Sequence, residues 1–442
     1  MEGSDILTAR KRPQLSRVAE EAQASDNRRA QISFSKRPDR DEVFPLRLDI
    51  GNVSLPMYKG MLDRARDVDA DHNPLKTGSV PYTPTVGTDK ARSALLRVVS
   101  AEGFPTEGLY SHVTDGGSGA MKLMIRACCE EGRPLMLVEP FYVNYAQFAK
   151  ELGVPITSVT RTLQEDGKFS VPDLEELRAK IQETNAGALV VIPYDNPSGQ
   201  FLSHEEMVAI AKMCVEEGVW LVSDEAYRGL VYTGEPISSV WGITEEEVPE
   251  ITGCRLSIES VSKVFRGCGE RIGGIITDNK VLHEQVVKLA TPSLCASARG
   301  QHALEALNEL SPDAIMKWIE EIREYYKHLI TTTAQAFRDR IPGLIVSDPA
   351  SALYFVVDFR NVMPEMDTRK FGEFCAMKGR VDDIQINGKA STLFMSPMGG
   401  FYSDPERGRT QMRVAAVQGE EQMLLAPELC ARLLEQYKAV LN

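Results

Sequence analysis

The chain has 442 residues, a formal net charge of −13, 43% hydrophobic and 26% charged residues. That length exceeds one ordinary core, and the acidic balance argues against general affinity for nucleic acid or an anionic membrane surface, which clustered Lys and Arg would drive. No apolar run approaches the roughly 18 residues a bilayer span requires, and the N-terminus lacks the apolar centre of a signal peptide, so a cytoplasmic protein is expected.

Eight cysteines show no CxxC pair and no close Cys/His set, which predicts reduced, mostly buried thiols and neither a disulfide framework nor a metal site. Asn52-Val53-Ser54 matches a glycosylation sequon and, without a secretory signal, is read as a chance match.

In chain order, residues 1–44 are polar with nearly balanced charge and read as an arm or surface helix rather than a domain. Residues 45–79 are expected to join a small domain, 80–310 to form a large domain, and 311–442 to form the rest of the small one. "VTDGGSGAM" (Val113 to Met121) is a Gly-rich loop opening a helix, an arrangement suited to an anion and most often to phosphate. It is not GxGxxG, so a dinucleotide site loses ground.

The runs Pro134–Val138, Ala188–Tyr194, Val219–Ser223 and Gly273–Thr277 are short and wholly apolar, as strands buried on both faces should be. Helices are predicted between them over 171–184 and 203–218, the latter opening with a Ser203/Glu206 capping box and closing on Gly218. Alternating strands and helices imply an α/β fold with a mostly parallel sheet, which binds ligands at the carboxyl ends of its strands. A long helical pattern from Ser311, then "ALYFVVDF" and "QMRVAAV", suits a smaller α+β lobe.

Candidate chemistry collects at those strand ends. Asn196-Pro197-Ser198-Gly199 follows one apolar run and Asp224, with Tyr227, follows the next; a carboxylate there needs a cationic or N–H partner. "SVSKVFRGCGERIGG" sets Lys263 among small hydroxyl residues and plants Arg271 behind it. Singly these are a turn, a core polar group and a solvated lysine. Together they supply what pyridoxal 5′-phosphate uses: an amine for its aldehyde, a carboxylate for its ring nitrogen, donors for its phenolic oxygen and a phosphate cradle.

In these residues the chain resembles the class I/II aminotransferase family of fold-type I pyridoxal-phosphate enzymes, from about Arg47 to Val417. The resemblance implies Lys263 as the Schiff-base lysine and proton shuttle, Asp224 beneath the pyridinium nitrogen, and Asn196 and Tyr227 on the phenolic oxygen. It implies Gly117, Ser118, Ser260 and Arg271 around the phosphate and the ring of Tyr142 stacked on the cofactor. Arg413, Gly51 and Asn196 would meet the substrate, Arg413 taking its α-carboxylate. Tyr82 would reach the phosphate of a neighbouring subunit, which implies a homodimer with shared sites.

The family's Gly-x-Phe-Tyr appears here as Ser351-Ala352-Leu353-Tyr354, a departure that bears on the substrate pocket. The implied reaction is ping-pong transfer of an amino group from an L-amino acid to a 2-oxo acid. Elimination, decarboxylation or oxidation on the same cofactor site is the alternative, and a binding protein without turnover is disfavoured by the retained Lys263 and Asp224.

Overall fold

The computed structural model describes residues 13–20, 24–53 and 55–441. Ser54 of the sequon and residues 1–12 and 21–23 of the expected arm lie outside the described residues. Strand β1 (Val43–Arg47) belongs to a small sheet. Seven strands then build the main sheet: β2 (Tyr110–Asp115), β3 (Leu135–Glu139), β4 (Ile156–Thr160), β5 (Ala188–Val191), β6 (Trp220–Asp224), β7 (Arg255–Ser260) and β8 (Ile272–Thr277). Their order is β2-β8-β7-β6-β5-β3-β4, and the four apolar runs picked from the sequence are β3, β5, β6 and β8.

Both faces of this sheet are covered, which is why its strands read as unbroken apolar runs. Along β5 successive side chains alternate between two cores. Ala188 and Val190 pack with Ala120, Met124 and Ile125 of the helix Gly116–Cys128, whereas Leu189 and Val191 pack with Leu177, Ile181 and Ile210 on the other face. The helix Leu174–Thr184 is capped by Asp173. The helix His204–Glu217 carries the predicted Ser203/Glu206 box and ends on Gly218 at φ 67°.

One strand departs from the parallel pattern. β8 runs antiparallel to both β7 and β2, with Ser260 opposite Gly273 and Asp115 opposite Ile272. The residues joining β7 to β8 therefore turn back at the carboxyl edge, level with the start of the helix Gly116–Cys128. Gly273 allows that closeness: a side-chain carbon there would fall 2.5 Å from the Glu259 carbonyl and 2.6 Å from the Gly117 nitrogen.

Beyond the 29-residue helix Pro312–Arg340 come β9 (Ile345–Val346), β10 (Tyr354–Asp358), β11 (Val381–Ile386), β12 (Lys389–Phe394), β13 (Ser396–Pro397) and β14 (Gln411–Ala415). They form a four-stranded antiparallel sheet, β13-β14-β10-β9, and a three-stranded one, β1-β12-β11, in which β1 pairs in parallel with β12. On the helix Lys59–Arg66, the Arg64 guanidinium donates to the His302 carbonyl at 2.8 Å and pairs with Glu305 and Glu309. Of the arm, the helix Asp26–Ser35 is capped by Ser25 and tied down by Asn27, whose amide donates to the Asp49 carbonyl at 2.9 Å.

Candidate active site

The carboxyl edge of β5, β6 and β7 faces the small sheets across an open cleft of about 900 Å³. Gly51, Tyr142, Asn196, Tyr227, Lys263, Tyr354 and Arg413 line it. Asp224 ends β6 and is buried, accepting a hydrogen bond from the Tyr145 hydroxyl at 2.8 Å and one from the Ala226 N–H at 3.2 Å. No cationic side chain among the described residues pairs with it. Burial therefore pushes its carboxyl up to about 6, although those two hydrogen bonds pull the other way.

Lys263 lies in the connection between β7 and β8, and its ammonium donates to the Gly51 carbonyl. Position 51 must be glycine: a side-chain carbon would fall 2.0 Å from the Tyr354 hydroxyl and 3.3 Å from Lys263 Nζ. The Tyr227 and Tyr354 hydroxyls hydrogen-bond each other at 2.7 Å, both rings buried. Tyr142 sits within electrostatic range of Asp224, Arg271, Arg413 and Tyr354, and burial pushes its phenol up to about 12.

Arg413, on β14, is buried. It donates through one terminal nitrogen to Asn196 Oδ1 at 2.9 Å and through the other to the Asp49 carbonyl at 2.7 Å. Its guanidinium lies 4.5 Å from the ring centre of Tyr354 and 5.2 Å from that of Phe401. No carboxylate neutralises it among the described residues, so the cleft holds a buried cation ready for an anion. With its oxygen committed to Arg413, Asn196 keeps its amide N–H groups for a ligand.

The phosphate candidates gather at the start of the helix Gly116–Cys128. Asp115 there makes no side-chain cap, unlike Asp173, Ser203 and Asn279 at their helices, so the first-turn N–H groups of Gly116, Gly117 and Ser118 stay available. The Arg271 guanidinium lies against Gly116, 2.4 Å from where a side-chain carbon would be, and Ser260 Cβ is 3.8 Å from the corresponding point on Gly117. Ser118 also lines a neighbouring groove with Thr85 and Lys122. Tyr82 is 77% exposed and does not line this protomer's cleft.

Comparison with known proteins gives this arrangement a family. The model of aminotransferase class I and II matches residues 46–421. The chain belongs to the class I and II aminotransferase family. An aspartate/prephenate aminotransferase from Thermus thermophilus is 28% identical over 299 residues, covering 67% of this chain and 74% of that protein. An aspartate aminotransferase from Pyrococcus horikoshii is 25% identical over 337 residues, covering 74% and 81% respectively. Two solved structures share the fold. A Thermus thermophilus aspartate aminotransferase mutant superposes with a TM-score of 0.78 at 24% identity, over 96% of this chain and all of that one (100%). The N-succinyldiaminopimelate aminotransferase of Mycobacterium tuberculosis gives 0.77 at 20%, over 95% and 100%.

The protein is thus a fold-type I aminotransferase whose cofactor is pyridoxal 5′-phosphate, and the residues fit that group. The buried Asp224 carboxylate lacks a cation, which a protonated ring nitrogen supplies. The uncapped helix start beside Arg271 suits a phosphate, and Asn196 and Tyr227 line the cleft.

Two contributors, Tyr145 and the Asp49 carbonyl, were not singled out from sequence, and a third, Tyr354, was named only as the end of the Ser351–Tyr354 motif, without a role. Tyr145 follows Tyr142 by three residues and begins the next helical turn, a spacing that could have marked it. Tyr354 lies diagonally across from Arg413, because Val356 is the residue opposite Arg413 on the paired strands. In the departure noted at Ser351–Tyr354, Ala352 adopts a φ of 56°, a left-handed conformation that glycine would hold with less strain.

Asp224 generates a stability prediction for the cofactor-free protein. Its folded value near 6 exceeds the ordinary 3.8, so the folded state binds more protons between those values and loses stability as pH rises through that window. The loss is up to about 3 kcal/mol at 1.36 kcal/mol per unit. Asp224→Asn abolishes this dependence: the cofactor-free variant should match wild type near pH 4 in urea denaturation and exceed it above pH 6. A pH-independent difference would contradict the assignment.

Proposed function

We propose that the cleft transfers the amino group of an acidic L-amino acid to a 2-oxo acid, with Lys263 as the amine that holds the cofactor and moves the proton. The carrying observation is an uncompensated buried carboxylate, Asp224, at the end of β6, together with an unneutralised buried guanidinium, Arg413, that lines one cleft with Lys263. Aminotransfer, rather than elimination, decarboxylation or oxidation, is the reaction of the matched family.

Pyridoxal 5′-phosphate, when bound, supplies a carbonyl carbon for the substrate amine and an electron-accepting ring. The protein supplies the rest. First-turn N–H groups of Gly116, Gly117 and Ser118, the Ser260 hydroxyl and Arg271 would hold the phosphate, the last by a charge-assisted pair. Asp224 keeps a proton on the ring nitrogen, and Tyr145 fixes the carboxylate that does so. Asn196 and Tyr227 would donate to the phenolic oxygen, and Tyr142 would offer its ring to the cofactor.

Arg413 grips the substrate α-carboxylate, with the Gly51 backbone beside it, and so turns Cα toward Lys263. With the cofactor bound, Lys263 Nζ would be the base placed to take the substrate's Cα proton, its part in one half of a ping-pong cycle. The Gly51 carbonyl gives that amine a resting partner between turnovers.

Two features support the acidic donor: Arg28 and Arg369, the latter paired with Asp26 at 3.3 Å, line the cleft, and relatives are named for aspartate. A cytoplasmic homodimer is part of the same proposal. The eight cysteines are unpaired, as suits a reducing compartment. The exposed Val80, Tyr82 and Leu294 supply an apolar rim for a second copy, which Tyr82 would enter to meet the other phosphate. Gln301 ties the strips carrying these residues together, donating to Thr83 Oγ1 and to the Ala296 carbonyl, each at 2.9 Å.

Borohydride reduction of the holoenzyme followed by peptide mass mapping should place the cofactor on Lys263, and Lys263→Ala should lower turnover by about 10⁴-fold or more. A trapped cofactor elsewhere, or near-normal turnover, would remove Lys263 from this role. Mixed with amino acid alone, the holoenzyme should convert its cofactor to the amine form faster with L-aspartate or L-glutamate than with L-alanine or L-leucine, releasing neither ammonia nor carbon dioxide. Equal or reversed preference would refute the acidic donor.

A further inference from the structure

Lys263 sits in a segment whose backbone is held unusually completely. Five consecutive carbonyls all accept hydrogen bonds: Val261 from the Gly267 N–H at 3.0 Å, Ser262 from the Cys268 thiol at 2.9 Å, Lys263 from the Arg266 N–H at 3.2 Å, Val264 from the Trp318 indole N–H at 3.0 Å, and Phe265 from the Tyr58 N–H at 3.1 Å. Three of these donors belong to the segment itself. The other two come from outside, and their rings pack together, Tyr58 against Trp318 at 5.1 Å and against Phe265 at 6.1 Å.

Arg266 closes the arrangement. It has a φ of 56°, the left-handed region that a residue with a Cβ adopts only when its surroundings hold it there. Its guanidinium lies over three aromatic rings of one long helix, Trp318, Tyr325 and Tyr326, at 5.3, 5.7 and 5.6 Å from their centres. No carboxylate pairs with it among the described residues, so cation–π attraction holds the guanidinium in place. The same Trp318 thus grips the segment twice, by its edge at Val264 and by its face at Arg266, on the two residues that flank Phe265 just beyond the lysine.

We propose that Arg266 and Trp318 are positioning residues for Lys263, fixing its backbone to the helix Pro312–Arg340 so that Nζ is delivered at one height above the cofactor ring. The inference rests on Lys263 being the cofactor lysine. A displacement of about 1 Å at a reacting group costs on the order of a hundredfold in rate, so a clamp three residues away has leverage on catalysis without touching substrate.

The test compares Trp318→Phe, which keeps a ring for Arg266 and removes the N–H, with Arg266→Ala and Arg266→Lys. Two readouts are taken: kcat and KM of the holoenzyme, and the dissociation constant of pyridoxal 5′-phosphate from fluorescence titration of cofactor-free protein. Trp318→Phe and Arg266→Ala should lower kcat by about ten- to hundredfold with an almost unchanged KM for the amino acid and weaker cofactor binding. Arg266→Lys, which retains a cation over the rings, should recover most of both. If Trp318→Phe keeps wild-type kcat and cofactor affinity, even with a lower melting temperature, the clamp serves stability alone and the proposal fails; this conservative variant decides the matter should Arg266→Ala not fold. Failure of the lysine assignment itself looks different, since wild type would then carry no reducible adduct at Lys263.

Discussion

A carboxylate held out of water without a cation is costly, and Asp224 is in that state. The contrast with its neighbours is direct. Glu225, Glu259 and Glu102 are also withdrawn from solvent, yet all three surround Arg228 at 2.8, 2.6 and 2.8 Å. The chain therefore places an arginine among the carboxylates behind the site and leaves none beside the one that faces it. Among the described residues Asp224 accepts two neutral hydrogen bonds, and on the proposed function the missing charge is what a pyridinium nitrogen would bring. In the proposed function, selectivity for the protonated ring, and with it the electron-accepting power used at Cα, would follow from this single omission.

Everything else must deliver groups around that point, and the reversed strand β8 does most of this. A β7-to-β8 crossover in the parallel sense would carry the connecting residues away over a face of the sheet. Running antiparallel, β8 turns the chain back at the carboxyl edge, so Lys263 and Arg271 rise beside the ends of β6 and β7 and the start of the helix Gly116–Cys128. Gly273 lets that helix begin almost in contact with the sheet, and the absent cap at Asp115 leaves its N–H groups for phosphate. The opposite wall comes from β14 and the turn at Gly51, where Arg413 shares the Asp49 carbonyl with Asn27 of the arm helix.

The main sheet was readable because burial on both faces writes itself as uninterrupted apolar runs, and helix ends were readable where a side chain caps them, as at Ser203. Asp224 and Asn196 stood out because each comes just after an apolar strand buried on both faces, and Lys263 because it is set among small hydroxyl residues with Arg271 planted behind it. The reversal of β8 was not visible: an apolar strand buried on both faces carries no mark of its direction. Tyr354 and the Asp49 carbonyl were equally hidden, the first because its partner Arg413 is on a strand about sixty residues away, the second because a backbone acceptor has no residue type to betray it. Arg266 looked like one more charge in a glycine-rich stretch, since the rings that hold it come from a helix more than fifty residues on.

The central claim is that Asp224 is left uncompensated so that the cofactor ring nitrogen carries the balancing proton. Nitrogen NMR of the holoenzyme loaded with ring-nitrogen-labelled pyridoxal 5′-phosphate tests it most directly. The account predicts a protonated pyridinium shift in wild type that persists through neutral pH and is lost in Asp224→Asn. A neutral pyridine nitrogen in the wild-type holoenzyme, or a shift indifferent to Asp224→Asn, would contradict it.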